Sequence, residues 1–202
     1  MGTRRLLVDN VFRQRLLRTM DILLASVGVT LAGPIMVVLA LIGLFDTGSP
    51  IFCQIRVGRQ RRPFLLIKFR TMRVDAASVA THLADPAVVT GYGKLLRRTK
   101  LDELPQLWNV LKGDMSMVGP RPCLFSQEEL IEARVRLGIF EARPGITGLA
   151  QVRGIDMSTP ELLAETDALM LRSLNLIEYL RYIAITIVGR GRGDRIGGMC
   201  SL

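Results

Sequence analysis

Residues 22–45 read ILLASVGVTLAGPIMVVLALIGLF and contain no charged side chain. At about 1.5 Å of rise per residue, a helix of this length is long enough to cross a hydrocarbon core of about 30 Å. Gly33-Pro34 lies near the middle. Proline removes the helical hydrogen bond to the carbonyl of Thr30, so we expect a kink there. The stretch therefore predicts a membrane-associated helix that bends at its centre.

The charges on both flanks of this segment leave two topologies open. Equal positive charge on both sides gives no orientation by the positive-inside rule, and it is typical of a re-entrant hairpin that enters and leaves on one face. A spanning helix tolerates a central proline as well, so it stays an alternative. The flanking arginines are Arg4, Arg5, Arg13, Arg15 and Arg18 before the segment and Arg56, Arg59, Arg61 and Arg62 after it.

The composition narrows the class of protein. The chain has 202 residues, a net charge of +9, 49% hydrophobic residues and only 5% aromatic residues. A basic and apolar chain fits either an anionic membrane surface or a nucleic acid. The low aromatic content disfavours stacking platforms for single-stranded nucleic acid, and three scattered cysteines form neither a disulfide framework nor a metal pattern. We expect an N-terminal membrane segment, residues 1–48, and one catalytic domain, residues 49–202.

The remaining patterns predict an α+β fold of short elements. Residues 50–72 alternate like two strands around a basic turn at Gly58–Arg62, with Lys68 and Arg70 on one face. Apolar spacing predicts helices over 94–112 and 128–138 and over most of 160–188, which ends in an amphipathic piece. Residues 73–93 are expected to form a polar surface excursion, and residues 142–154 are expected to be irregular.

Two adjacent acids are the strongest chemical signal, in LRRTKLDELPQLWNVLKGDMSMVGPRP, residues 96–122. In one interpretation Asp102 only caps the following helix. In the other, Asp102 and Glu103 have different roles, one as a nucleophile or metal ligand and one as a positioning group. Nearby cations such as Arg97 and Lys100 would then hold phosphates.

The segment Gly-Pro-Arg-Pro, residues 119–122, favours the second interpretation. Pro120 and Pro122 restrict the backbone on both sides of Arg121. An arginine fixed in this way is suited to bidentate recognition of a phosphate at little entropic cost. A rigid surface turn with a solvated arginine remains the alternative.

KFRTM, LDELPQLWNVLKGDMSMVGPRP and RPGITGLAQVRG together resemble the bacterial sugar transferases, the monotopic phosphoglycosyl transferases. The resemblance extends over roughly residues 13–190. It implies transfer of a sugar-1-phosphate from a UDP-sugar to undecaprenyl phosphate by a ping-pong reaction through an aspartyl-phosphosugar. It also implies a re-entrant membrane helix on the cytoplasmic face of the bacterial inner membrane. Small members of the family often have Ser-Pro at the helix break, where this chain has Gly33-Pro34.

The resemblance also implies roles for particular residues. Asp102 would be the nucleophile and the ligand of Mg2+, with Glu103 as its catalytic partner. The expected partners are the UDP-sugar, undecaprenyl phosphate and membrane lipids but no nucleic acid, and a homodimer is left open. The alternatives are a single-pass protein with a basic nucleic-acid-binding domain and a nucleotide-sugar hydrolase. The expected substrate-binding residues are Lys68, Arg70, Arg97, Arg121, Arg143 and Gln151.

Overall fold

The computed structural model describes residues 2–76 and 86–188, with side chains from residue 13 onward. Helices and short strands alternate along these residues, so the predicted α+β class is confirmed. Strands β1 and β2 form an antiparallel pair, and β3 and β4 form a parallel pair. The elements are α1 Gly2–Thr47, β1 Ile51–Val57, β2 Pro63–Phe69, α2 Gly91–Thr99, α3 Gln106–Lys112, β3 Ser116–Val118, α4 Glu128–Arg136, β4 Gly145–Thr147, α5 Leu149–Arg153, α6 Pro160–Ser173 and α7 Leu176–Ile187.

Helix α1 is long and apolar enough to cross a membrane, which makes it compatible with membrane anchoring. It is continuous through Gly33 and Pro34, so the bend expected there stays a prediction. The Thr30 hydroxyl donates to the Ser26 carbonyl at 2.9 Å, one turn back along the helix. The helix ends at Thr47, one residue before the predicted division at residue 48, and that division into two domains also stays a prediction.

One face of α1 is covered by the rest of the protein along both halves of the apolar segment. Ala25, Leu39 and Gly43 are buried, at the spacing of one helical face. Leu31 and Val38, on the opposite face, are 73% and 54% exposed. The same folded body therefore contacts α1 before and after Gly33-Pro34, and an apolar face of the helix is left uncovered.

Asp21 joins the first half of α1 to two other elements. Its carboxylate is 3% exposed, and Oδ1 accepts hydrogen bonds from Ser116 Oγ, the Met117 N–H and the Tyr179 hydroxyl, each at 2.8 Å. Burial and the adjacent carboxylate raise the pKa of Tyr179 well above its usual range. Asp21 thus fixes α1 to β3 and α7 at the level where the apolar segment begins.

The predicted hairpin is confirmed. Ile51 pairs with Phe69 and Val57 pairs with Pro63, so the turn falls within Gly58–Arg62. On the exposed face of the hairpin, Ile55 is 58% exposed. The opposite face of the hairpin packs on the core.

The single helix predicted over 94–112 is wrong, because the chain breaks in its middle. Lys100 adopts φ 58° and ψ 17°, which ends α2, and residues Leu101–Glu103 form one turn of 3-10 helix before α3. Pro105 precedes α3 and has no N–H to continue an earlier helix. The residue at the N-cap of α3 is Pro105, and capping of this helix by Asp102 stays a prediction.

The irregular structure predicted for 142–154 is also wrong, because this stretch contains β4 and α5. β4 pairs with β3, and the two backbones approach so closely that a Cβ on Gly145 would lie 2.0 Å from the Gly119 N. Three-residue strands are too short to show an alternating pattern. The glycines that made the stretch look like a loop are what allow the two strands to pair.

The helices predicted over 128–138 and 160–188 are confirmed as α4, α6 and α7. The second region is interrupted at Leu174, after which the Asn175 side chain accepts a hydrogen bond from the Glu178 N–H at 3.0 Å and caps α7. The surface excursion predicted over 73–93 lies partly outside the described residues.

Candidate active site

The two adjacent acids lie on the short turn between α2 and α3. Asp102 is 9% exposed, which is low for a carboxylate. Leu101 and Leu104, on either side of the pair, pack in one apolar cluster with Leu39 and Met36 of α1. The acids are therefore held against the second half of α1.

Glu103 brings together two cations from distant parts of the chain. Its Oε1 lies 3.6 Å from Lys68 Nζ and 3.5 Å from Arg121 Nη2, and each side chain is less than 20% exposed. Lys68 comes from β2 and Arg121 from the loop after β3. Charges in this shielded setting interact more strongly than on the surface. The structure thus unites three of the predicted site residues beside Asp102.

Lys100, one of the cations expected from the sequence to hold phosphates, belongs to the same cluster. Burial lowers the pKa of its ammonium, while Glu103 raises it and Arg121 lowers it further. Its left-handed backbone ends α2 directly before the acids.

Arg97 is fixed at the end of the strand that carries Lys68. Its Nε donates to Thr71 Oγ1 at 2.8 Å. Helix α2 lies directly on this segment, because a Cβ on Gly93 would lie 2.0 Å from the Thr71 carbonyl oxygen. This close approach fixes the position of α2. The last turn of α2, directly before the acids, carries Arg97.

The Pro-Arg-Pro loop is held from behind by buried arginines. Arg134 Nη1 donates to the Arg121 carbonyl at 2.8 Å, and Arg56 Nη1 donates to the Pro122 carbonyl at 3.3 Å. Arg134 in turn pairs with Asp167 at 2.6 Å, and both side chains are almost fully buried. The backbone of Arg121 is therefore fixed on its inner side, while its guanidinium faces Glu103.

Arg134 and Asp167 are structural parts of the site that sequence reasoning missed. The signal was present, because Arg134 shares the apolar face of α4 with Leu130, four residues earlier, and Asp167 follows Leu163 at the same spacing in α6. Charges at core positions on two helices are typical of a buried ion pair.

Arg70 lies apart from this cluster. Its Nε donates to the Ser49 carbonyl at 2.9 Å and its Nη2 to the Ile51 carbonyl at 3.3 Å, with the guanidinium 5.5 Å from the centre of the Phe52 ring. These contacts fasten the junction between α1 and β1. The substrate-binding role expected from the resemblance stays a prediction.

Arg143 also lies elsewhere, at the carboxyl end of α3. Its Nε donates to the Gly113 carbonyl at 2.9 Å, and Arg18 donates to the Val110 and Leu111 carbonyls at 2.8 and 3.1 Å. Two guanidiniums thus bind the negative end of the helix whose other end follows the acids. A role of Arg143 in substrate binding likewise stays a prediction.

Gln151 presents a buried amide near the Pro-Arg-Pro loop. Its Oε1 and Nε2 are shielded from solvent and form no hydrogen bond with other residues in the described ranges. A Cβ on Gly148 would lie 2.9 Å from Gln151 Oε1 and 2.7 Å from the Gly119 carbonyl oxygen, so the three are neighbours. A buried amide without partners is costly, which is consistent with the predicted contact to a ligand.

The donor set fits Mg2+ only if the substrate contributes ligands. Among residues 13–76 and 86–188, no group of three or more His, Cys, Asp or Glu side chains is arranged to hold a metal ion. Mg2+ is usually held by one or two carboxylates together with substrate phosphates and water. Asp102 together with a bound diphosphate satisfies that pattern.

Comparison with known proteins decides the family. The sequence model of the bacterial sugar transferases matches residues 12–191. The chain belongs to this family. The match includes α1 from residue 12 onward, the acid pair, the Pro-Arg-Pro loop and the final helix, so the resemblance found from three motifs extends over nearly all of the described residues.

Curated relatives of this sugar transferase carry names that specify their substrates. The chain is 43% identical over 143 residues to a UDP-glucose:undecaprenyl-phosphate glucose-1-phosphate transferase of Caulobacter vibrioides, covering 68% of this chain and 54% of the relative. It is 37% identical over 180 residues to a protein of the same name from Klebsiella pneumoniae, covering 84% and 39%.

A third relative is named for a different sugar. The chain is 40% identical over 140 residues to a UDP-N-acetylgalactosamine-undecaprenyl-phosphate N-acetylgalactosaminephosphotransferase of Aeromonas hydrophila, covering 67% of this chain and 33% of the relative. The chain thus spans between a third and about half of the length of these three relatives. Because their names specify two different sugars, similarity at this level does not identify the sugar.

Proposed function

We propose that this sugar transferase moves a sugar-1-phosphate from a UDP-sugar to undecaprenyl phosphate. The names of its relatives support the two substrates. One observation carries the proposal: Asp102 lies on a shielded turn against the apolar helix α1, beside two cations gathered by Glu103. In this arrangement the water-soluble UDP-sugar and the membrane-bound undecaprenyl phosphate can each react at the Asp102 carboxylate, one after the other.

In the first half-reaction, a carboxylate oxygen of Asp102 attacks the phosphorus atom next to the sugar. The bond from that phosphorus to the bridging oxygen breaks, UMP leaves, and a mixed anhydride of Asp102 and the sugar phosphate remains. Lys68 and Arg121 offset the negative charge of the diphosphate, so an anionic nucleophile can approach it. Glu103 holds these two cations in position and is itself not consumed.

In the second half-reaction, an oxygen of undecaprenyl phosphate attacks the same phosphorus atom. The bond to Asp102 breaks, the carboxylate is restored, and the lipid diphosphate sugar leaves. The two substrates need not be bound together, since the mixed anhydride at Asp102 carries the sugar phosphate between them. Because Leu101 and Leu104 pack against α1, the mixed anhydride stays close to this apolar helix, at a depth that a lipid phosphate reaches.

Mg2+ is the cofactor that this chemistry requires from outside the chain. It would be held by Asp102 together with the diphosphate, where it would neutralise phosphate charge and orient the donor. We expect EDTA to abolish UMP release and added Mg2+ to restore it. Turnover that persists in EDTA would contradict the assignment of the ion.

We also propose that α1 is re-entrant on the cytoplasmic face of the inner membrane. The support is the covered stripe of α1, which includes Ala25 and Gly43 on either side of Gly33-Pro34. A helix crossing a core of about 30 Å would carry one of its ends away from the catalytic body. Labelling of single cysteines at residue 15 and residue 62 in sealed vesicles tests this, because a re-entrant helix exposes both on the same side.

The decisive experiment for the chemistry is trapping of the mixed anhydride between Asp102 and the sugar phosphate. Purified enzyme is incubated with a UDP-sugar radiolabelled in the sugar, without acceptor, and digested for mass spectrometry. We expect the added mass on the peptide containing Asp102 and its removal by undecaprenyl phosphate. Release of UMP and free sugar phosphate with no lipid product would instead identify a nucleotide-sugar hydrolase.

A further inference from the structure

A second basic region lies outside the proposed active site. A cavity of about 270 Å³ opens between the first half of α1, the hairpin turn and the segment before β4. Neither Asp102 nor Glu103 lines it. Its charged lining residues are Arg13, Arg18, Arg59, Arg143, Asp21 and Glu141.

The charge of this cavity is not balanced by its own acids. Four arginines face two carboxylates, so positive charge remains in excess even though Arg18 Nη1 lies 3.8 Å from Asp21 Oδ2. Glu141 is exposed to solvent. Burial, followed by the nearby charges of Arg18 and Arg59, lowers the pKa of Arg143. Cations crowded in this way favour a bound anion.

Arg59 supplies a second, independent observation. Its Nε is buried and forms no hydrogen bond with any residue of the described ranges. Arg18 and Arg143, in contrast, donate to carbonyl groups at the end of α3. Buried donors in folded proteins almost always have an acceptor, so this one is directed at a group that the described residues do not supply.

The cavity also has apolar lining residues. Leu17, Val118, Leu171 and Leu174 line it together with the arginines. The volume is close to the lower limit of small-molecule sites, about 300 Å³. That is room for a phosphate with a few attached carbons rather than for a whole nucleotide sugar.

The position of the cavity along α1 indicates where such a ligand comes from. Its α1 residues, Arg13 to Asp21, directly precede the uncharged segment that begins at Ile22. In a membrane-bound enzyme this is the level of the lipid headgroups, where arginine side chains bind phosphates.

We propose that this cavity binds the phosphate group of a membrane lipid, with the arginines on the phosphate and the leucines on the first carbons of the lipid. The proposal rests on the membrane placement of α1 proposed above and is independent of the chemistry at Asp102. Such a lipid would fasten the first half of α1 to the hairpin turn and to α6. The source of the phosphate is either a bulk anionic phospholipid or the undecaprenyl phosphate acceptor.

The test compares two arginines on the same turn. Arg59 lines the cavity, whereas Arg62 is exposed and does not. Fluorescent phosphatidylglycerol is titrated into detergent-purified wild type, Arg59→Gln and Arg62→Gln, with phosphatidylcholine, undecaprenyl phosphate and inorganic phosphate as competitors. We expect about tenfold weaker binding by Arg59→Gln and no change for Arg62→Gln, since one charge-assisted hydrogen bond is lost.

The competitors identify the source of the phosphate. Unlabelled phosphatidylglycerol is added as the reference competitor: weaker displacement by undecaprenyl phosphate than by this reference indicates a bulk phospholipid, and stronger displacement indicates the acceptor. Equal binding by the two variants, absence of binding, or equally strong binding of inorganic phosphate would overturn the proposal. A thermal melt of each variant confirms folding, and Arg13→Gln provides a second lining variant if Arg59→Gln does not fold.

A last control separates this proposal from the proposed function. We expect Asp102→Asn to lose UMP release and to bind phosphatidylglycerol like the wild type. If cysteine labelling shows that α1 is not re-entrant, the membrane placement fails even where the lipid still binds. If lipid binding is absent while UMP release persists, the cavity proposal alone fails.

Discussion

Two basic regions lie at the two ends of α3, and they use the same residue types differently. At the amino end, Lys68 and Arg121 face the Glu103 carboxylate. At the carboxyl end, Arg18 and Arg143 bind backbone carbonyls. The first arrangement leaves cations beside a candidate nucleophile, and the second neutralises a helix terminus. The role of an arginine in a proline-rich motif therefore depends on the groups that the fold places opposite its guanidinium.

Arg121 and Arg143 make this point most directly. One lies in Gly-Pro-Arg-Pro and the other in Arg-Pro-Gly, and both were expected to bind substrate. The two motifs are neighbours in space, since a Cβ on Gly119 would lie 2.4 Å from the Arg143 carbonyl oxygen. Their guanidiniums nevertheless serve opposite ends of α3.

The largest expected effect is at the amino end of α3. Asp102→Asn should lower the rate of UMP release by on the order of 10³-fold or more, because the amide is a poor nucleophile. Membrane association and the melting temperature should change little. The measurement is UMP release by membranes containing equal amounts of each variant, and an Asp102→Asn enzyme with wild-type rates would end the assignment.

The buried pair behind Arg121 should have the next largest effect, this time on stability. Asp167→Asn leaves the buried Arg134 charge without its partner, so we expect a loss of about 3 kcal/mol or more in the free energy of unfolding. Chemical denaturation in detergent measures it. Glu161→Gln in the same helix, which breaks an exposed pair with Arg136, serves as the control and should be nearly neutral.

The two arginines at opposite ends of α3 can then be compared directly. Arg121→Gln should lower kcat/KM for the UDP-sugar by about 10²-fold with little change in melting temperature, because a cation beside the reacting phosphate is lost. Arg143→Gln should instead lower stability by about 1 kcal/mol and retain most of the activity of the folded enzyme. If Arg143→Gln lowers kcat/KM as much as Arg121→Gln does, the substrate-binding role implied by the resemblance is correct and the comparison fails.

The smallest expected effect concerns Arg70. Arg70→Gln removes hydrogen bonds to the Ser49 and Ile51 carbonyls, so we expect a loss of about 1 kcal/mol in stability with activity preserved. Arg73→Gln, at an exposed pair with Asp75, is the matched control and should change neither quantity. A strong loss of activity in a stable Arg70→Gln protein would instead support the expected role of Arg70 in substrate binding.

Much of the architecture followed from local patterns. An uncharged stretch as long as residues 22–45 has few uses other than a membrane-associated helix. Alternation around Gly58–Arg62 was enough to predict the hairpin, because a strand pair joined by a short turn is set by near neighbours. The helix predicted over 94–112 failed because its break at Lys100 depends on burying Leu101 and Leu104 against α1, a contact distant in sequence.

By itself the sequence determined the long apolar helix, the hairpin, the acid pair and the family, because each depends on residues close together in the chain or on motifs that stand intact. Only the tertiary structure decided which cations meet Glu103, that Arg134 and Asp167 support Arg121 from the core, and that Arg143 serves the far end of α3. The physical reason is that charge pairing acts through space. The sequence gives the charges and their order, and the partner of each charge is fixed only once the chain has folded.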